Sequence, residues 1–382
     1  MKRRISCLLV VMLLMGAICL PVYGAAPEVP AKSALLMDVT TGTVLYESNS
    51  HEALPPASVT KVMTMLLIME AIDSGKIGWE DTVTASEEAA AKGGSQIYLK
   101  AGETMSVSDM VKSIAVSSAN DCACAMAEHI AGSESAFVDM MNQRAKELGM
   151  EDTRFVNCTG LDDDAGAKDH LTSAHDIAIM SRQLLKNHPD IKKFTTIWMD
   201  TVRNGTFGLS NTNKLVRFYN GATGLKTGFT SSAMYCLSAS AQRDGMELVA
   251  VVMGSETSQK RFAACKALLD YGFANYALVT PELPAENLVP VKLGQNAFVK
   301  AVPNETGAML IDKGQKNSVT TEVTLEESVK APVSKGQRLG TMTIKAGQQI
   351  LAQIPMVAEE TVARLQWHQI LWQVMRAYTM AK

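Results

Sequence analysis

The period of the apolar positions changes several times along the chain, and each change predicts a different element. Residues 34–38 (ALLMD) and 43–47 (TVLYE) flank Thr40-Thr41-Gly42 and predict a β-hairpin. Beyond it, apolar residues recur at helical spacing over 58–74, 107–117, 120–131, 136–148 and 173–187, with Asn, Gly and Asp clusters between them. Strand patterns return at 225–229, 233–242 (AMYCLSASAQ) and 246–254 (MELVAVVMG), and a helical stretch follows over about 257–276. The simplest assembly is an α/β (α+β) domain over 27–277, in which a mostly antiparallel sheet of the first hairpin and the last strands encloses a helical insert.

The pattern shifts again near residue 277. The stretch 280–288 (TPELPAENL) carries two prolines and reads as part of a linker over 278–288. Short alternating runs at 296–302, 318–325 and 341–346 then predict a small all-β domain over 289–357. It holds no cluster of acid, base and nucleophile, which fits a spacer or docking module. In the final stretch, 358–382, Trp367, Ile370, Leu371, Val374 and Tyr378 fall on one face of a helical wheel, with Gln366, Gln369, Gln373 and Arg376 opposite. Two tryptophans on a short amphipathic terminal helix fit an in-plane anchor at a membrane surface; the other reading is a helix packed on the β domain.

At the other end, Lys2, Arg3 and Arg4 precede the apolar run Leu8–Leu20, then Pro21 and the small residues Gly24, Ala25 and Ala26. This is the pattern of an export leader over 1–26, its apolar run too short for a comfortable membrane span. Ile18 before Cys19 argues against a lipoprotein anchor. With the leader gone, Cys122, Cys124, Cys158, Cys236 and Cys265 remain, an odd set without framework spacing, so neither a disulfide scaffold nor a zinc site is expected. A net charge of −3 supplies no basic field for nucleic acid.

The candidate chemistry begins at PPASVTKVMTM, where Ser58 and Lys61 share a helix face three residues apart. Alone, such a pair is unremarkable: a hydroxyl at a helix start and a solvated lysine explain it equally well. Two further groups follow in order, Ser118-Ala119-Asn120 between two predicted helices and Lys226-Thr227-Gly228 on the first strand after the insert. Taken together, S-x-x-K, S-x-N and K-T-G form the motif set of penicillin-binding proteins and class A β-lactamases. The chain resembles the serine D-alanyl-D-alanine carboxypeptidases, the low-molecular-mass penicillin-binding proteins of the peptidase S11 type. PPASVTKVMT, VSSANDCA, FVNCTGLDDDAG, RNGTFGLSNTNKLV and GATGLKTGFT carry the resemblance across most of 34–275.

That resemblance implies a β-lactamase/transpeptidase-like sheet, an outer-face location at the bacterial cytoplasmic membrane, and no cofactor or metal. Its substrate is a peptidoglycan stem peptide ending in D-Ala-D-Ala, and β-lactam antibiotics acylate the same serine. Ser58 is then the nucleophile and Lys61 its proton acceptor, held neutral by burial and by the charge of Lys226. Ser118 relays a proton to the leaving amine, and Asn120 holds substrate backbone and orients Lys61. Lys226, Thr227 and Gly228 receive the substrate on an edge strand. The backbone N–H groups of Ser58 and Phe229 form the oxyanion hole, and Arg261 binds the terminal carboxylate. A class A β-lactamase would need a deacylating glutamate, for which no candidate stands out. The other rival is a non-catalytic sensor of peptidoglycan or β-lactam. Endopeptidase and transpeptidase activities would use the same residues.

Overall fold

The computed structural model describes residues 26–163, 166–283, 287–305 and 307–380; the leader expected over 1–26 lies outside this range except for Ala26. The chain divides into two compact units, the first ending at Asn275 and the second starting at Tyr276.

In the first unit, β1 (Ser33–Asp38) and β2 (Val44–Ser48) form the expected hairpin. Two short antiparallel pairs lie among the helices of the insert, β3 (Thr82–Thr84) with β4 (Thr104–Ser106) and β5 (Met199–Val202) with β6 (Phe207–Ser210). The sheet is completed by β7 (Ala222–Thr230), β8 (Met234–Arg243) and β9 (Met246–Ser255), in the order β2-β1-β9-β8-β7 with every pairing antiparallel. Chain distance yields to burial here: β9 inserts between β1 and β8 because all ten of its residues are buried, as suits a central strand covered on both faces. That leaves β7, which carries Lys226-Thr227-Gly228, on an open edge.

The insert supplies the helices Lys61–Asp73, Val107–Ser117, Asn120–Ala131, Glu134–Glu147 and Ala174–Asn187. Several begin with the capping chemistry their sequences call for: Ser106, Ser133 and Ser173 each accept a hydrogen bond from a backbone N–H in the first turn. Lys61–Asp73 is buried almost all round, with Val62, Met63, Met65, Leu66 and Ile68 in the core. A helix in that setting has no solvated face, so the lysine that opens it is buried too.

In the second unit, β10 (Tyr276–Val279) pairs with β13 (Met309–Asp312). A six-stranded sheet runs in the order β14 (Val319–Leu325), β16 (Arg338–Ala346), β17 (Gln349–Ala358), β12 (Phe298–Pro303), β11 (Leu288–Lys292) and β15 (Val329–Lys330). It closes on a core of Val289, Val291, Val299, Leu339, Met342, Ile344 and Met356. Strands thus occupy both ends of the stretch that reads as a linker. The terminal helix is shorter than its sequence pattern, Trp367–Met380.

Candidate active site

Ser58 does not lie on the α-helix proper. A 3-10 turn, Ala57–Thr60, leads into the helix that opens at Lys61, so the serine sits half-buried on a tight turn while the lysine is wholly buried. Lys61 Nζ is 3.0 Å from Ser58 Oγ and donates to the carbonyl of Thr159 at 2.7 Å. Burial pulls the lysine down from 10.5 to about 7, against the opposing influence of Cys158 and Asp121. Burial is thus the leading cause, as expected. Lys226 is held well below its usual range first by burial and then by the charges of Lys61 and Arg261, and the repulsion between the two lysines is mutual.

The loop that receives Lys61 is built by Asn157, whose Oδ1 accepts from the N–H groups of Thr159 (3.2 Å) and Gly160 (2.7 Å). Thr64, one turn along the same helix face as Lys61, clamps the loop through Cys158 O at 2.6 Å. Asn120 was expected to orient Lys61. Its Nδ2 donates instead to Gly93 O at 2.7 Å and its Oδ1 is buried without a partner, so Thr159 takes the orienting part.

The turn that carries Ser58 is pinned from behind. Ala57 has φ +49°, a left-handed conformation that costs an L-residue about 1–2 kcal/mol. His170 Nδ1 accepts the Val156 N–H at 3.2 Å, so Nε2 carries the proton and donates to Thr60 Oγ1 at 2.8 Å; Thr60 in turn donates to Ala57 O at 2.8 Å. Burial, and then the charge of Lys61, lowers His170 to about 4, so it stays neutral and its tautomer stays fixed. Neither His170 nor Thr159 carries a signal in an isolated sequence, although both flank or fall within FVNCTGLDDDAG.

The edge strand packs directly on this turn. A Cβ at Gly228 would lie 2.6 Å from Pro56 O and 3.2 Å from Ala57 Cβ, so glycine is what lets β7 approach. Thr227 Oγ1 is 2.6 Å from Thr212 Oγ1, and Thr212 N–H donates to Val116 O, which ties the strand to the turn before Ser118. Ser118 itself is buried at φ +64°, capping the helix Val107–Ser117; its hydroxyl makes no hydrogen bond to Ser58 or Lys61 among the described residues. Lys226 Nζ donates to Thr227 O at 2.9 Å, and Phe229 is exposed beside Tyr235. Arg261 lies against the third motif. Its Nη1 donates to Gly228 O (2.9 Å) and Cys236 O (3.2 Å) and its Nη2 to Ser258 Oγ (3.3 Å), its Nε is buried without a partner among the described residues, and the guanidinium lies against the rings of Phe262 and Tyr235, bracing β7 and β8.

Glu88, Cys124 and Glu134 bring ligand atoms within 4.8 Å of one another. The place of a cation there is taken by Lys92, whose Nζ lies 2.5 Å from Glu134 Oε2 and 4.0 Å from Glu88 Oε1. Cys158 Sγ completes the cluster by donating to Glu134 Oε1 at 3.1 Å.

The first and third motifs thus pack on one turn, and Thr212 links the third to the end of the helix that precedes Ser118. Residues 22–257 match the family model described as peptidase S11, D-alanyl-D-alanine carboxypeptidase. The chain belongs to this family. Residues 284–364 match the C-terminal domain of penicillin-binding protein 5. Among S11 relatives, the D-alanyl-D-alanine carboxypeptidase DacF of Bacillus subtilis (strain 168) is 45% identical over 360 residues, 92% of this chain and 91% of that protein. The crystal structure of penicillin-binding protein 5 from Haemophilus influenzae superposes with a TM-score of 0.76 at 30% identity, covering 89% of this chain and all of that one. Penicillin-binding protein D2 from Listeria monocytogenes, in its ampicillin-bound form, gives 0.59 at 32% identity over 65% of this chain and 100% of its own. This S11 chain is accordingly a serine-type hydrolase with the mixed α/β fold of the penicillin-binding proteins and their C-terminal β domain.

Proposed function

We propose that the protein removes the terminal D-alanine from peptidoglycan stem pentapeptides through an ester on Ser58. One observation carries the reading: a lysine with no solvent exposure, lowered to about 7, stands 3.0 Å from a serine hydroxyl. The neutral amine accepts the Ser58 proton as Oγ attacks the carbonyl carbon of the penultimate D-alanine. Ser118 passes a proton to the departing nitrogen as the C–N bond breaks, and water then cleaves the ester to free Ser58. Backbone N–H groups of Ser58 and Phe229 hold the oxyanion. Lys226 and Thr227 take the terminal carboxylate at the edge of β7, Asn120 holds the stem backbone, and Arg261, whose Nη1 also fixes the carbonyls of Gly228 and Cys236, helps to bind that carboxylate.

β-Lactams acylate the same oxygen, a reading supported by the ampicillin-bound form of the Listeria relative. The decisive experiment incubates the purified protein with a D-Ala-D-Ala-ended peptide and follows both free D-alanine and the mass of the Ser58-containing fragment. Free D-alanine with a transient acyl adduct on Ser58 is expected. Turnover without an adduct there, or failure of penicillin to label that fragment, overturns the assignment.

The reaction belongs outside the cytoplasmic membrane, where the substrate lies. No helix among the described residues is long and apolar enough to cross a membrane. The terminal helix supports surface attachment instead: Trp367, Leu371, Trp372, Val374 and Met375 are all exposed, Trp367 at 77%; the side chains of Gln373 and Tyr378 lie outside the described range. The full chain is expected to co-sediment with anionic vesicles and to shift its tryptophan emission to the blue. Replacing Trp367 and Trp372 together by Glu should abolish both effects while release of D-alanine from a soluble peptide is unchanged. Co-sedimentation that survives the double substitution removes the helix from this role.

A further inference from the structure

One segment is held in a shape that the catalytic reading leaves unused. Residues 93–99 wrap the start of the helix Asn120–Ala131: Asn120 N–H donates to Ser95 O at 2.7 Å, and the Asp121 carboxylate accepts from the N–H groups of Ile97 (3.1 Å) and Leu99 (3.0 Å). Ile97 and Leu99 point into the core. Tyr98 between them points out, 67% exposed.

Tyr98 also has φ +61°, which costs about 1–2 kcal/mol and for a bulky residue is a genuine outlier. The conformation persists because Arg203 over-determines it. Its Nη1 donates to Ile97 O at 2.7 Å, Nη2 to Tyr98 O at 3.2 Å and Nε to Glu103 Oε1 at 2.6 Å, and the guanidinium lies 5.2 Å from the centre of the Phe207 ring. Phe207 meets Tyr98 edge-on with ring centres 6.5 Å apart. An exposed aromatic ring adds nothing to the core. Strain maintained to keep one in water, in a segment bonded to the start of the helix Asn120–Ala131, points to a ligand.

The position identifies which part of the ligand. From Phe207 the chain runs along β6 to Thr212, whose hydroxyl meets that of Thr227. Those five steps span at most about 17 Å at roughly 3.3 Å per residue. An extended pentapeptide spans about the same length. A stem with its terminal carboxylate at Thr227 therefore has the reach to bring its other end to Tyr98 and Phe207. At that end the stem joins an amino sugar through a lactyl group, and the apolar C–H face of a pyranose ring suits a flat aromatic surface.

Resting on the carboxypeptidase reading, we propose that Tyr98 and Phe207 form a subsite for the stem-bearing amino sugar, with Arg203 as the residue that positions them. The test compares kcat/KM for D-alanine release from two substrates, a free stem pentapeptide and its N-acetylmuramoyl derivative. The wild-type enzyme is expected to favour the sugar-bearing substrate by roughly 3- to 10-fold, the range of one aromatic contact. Tyr98→Ala and Tyr98→Asn should remove that preference through KM, leaving kcat and the sugar-free reaction within about twofold. Asn tolerates the left-handed backbone, which guards against a folding artefact. Tyr98→Phe should keep the preference. An unchanged preference in Tyr98→Ala, no preference in the wild type, or an equal loss on both substrates each overturns the subsite. Failure of the wild-type enzyme to release D-alanine from either substrate overturns the carboxypeptidase reading beneath it.

Discussion

Lys61→Met should lower the rate of D-alanine release by about 10²- to 10⁴-fold, the range spanned by loss of a positioned general base. The wild-type kcat/KM should rise with pH through about 7, because only the neutral amine accepts the Ser58 proton. In the variant that limb should vanish from whatever activity remains. A wild-type profile that rises only near 10 would mean that Lys61 is an ordinary lysine, and the base would have to be found elsewhere.

The same substitution should make the protein more stable at low pH. The sign follows from proton counting. Between about 7 and 10.5 the unfolded chain holds a proton on Lys61 that the folded chain has lost, so stability rises with pH across that window. Below about 7 both states are protonated and the folded one carries the full penalty, about 5 kcal/mol for a shift of this size. Methionine fills the space without a charge and leaves Thr159 O unpaired, at a cost of about 1–3 kcal/mol. The net gain near pH 6 is therefore roughly 2–4 kcal/mol, a rise in Tm of about 5–10 °C for a unit of this length. By pH 10 it should be gone. Calorimetry at both pH values decides the matter: a gain independent of pH would show that the buried charge is not its source.

The buried base also marks where sequence reading stops. Ser58, Lys61 and Thr227 stand out in the sequence because their motifs fall in order. The helices were legible because their apolar spacing is regular, and the β7–β9 strands because their apolar and small residues run on without a helical period. What holds Lys61 was not legible, since its partner is the main-chain oxygen of Thr159 and any residue provides one. Asn120 makes no bond to Lys61 because its amide nitrogen goes to the Gly93 carbonyl. Arg261 was placed correctly near the third motif, yet its carbonyl partners belong to two different strands, a pairing visible only once β7 and β8 are in register. The terminal helix begins at Trp367, later than the sequence pattern, because β17 and the isolated bridge at Val362 keep the preceding chain extended.

Gly160→Ala should be the most damaging single-methyl change in the site, although it touches no reacting atom. Gly160 has φ +81°, and a Cβ there would fall 1.9 Å from Ala57 O and 2.7 Å from Thr60 Oγ1. Backbone cannot yield as a flexible side chain can. The left-handed conformation costs about 1–2 kcal/mol and the forced displacement of the turn about 1–3 kcal/mol more. A loss of roughly 2–5 kcal/mol corresponds to a Tm lower by about 5–15 °C. Because the atoms struck belong to the residue before Ser58 and to the hydroxyl that fixes it, acylation should slow by more than the fraction unfolded explains. Gly75→Ala is the control: Gly75 has φ +73° with nothing within 4 Å of the added methyl, so it carries the backbone cost alone. The two variants should therefore separate in penicillin-labelling rate at a temperature where both are folded. Equal labelling would mean that the turn around Ser58 tolerates displacement, and that its pinning by Thr60, His170 and Gly160 serves stability alone.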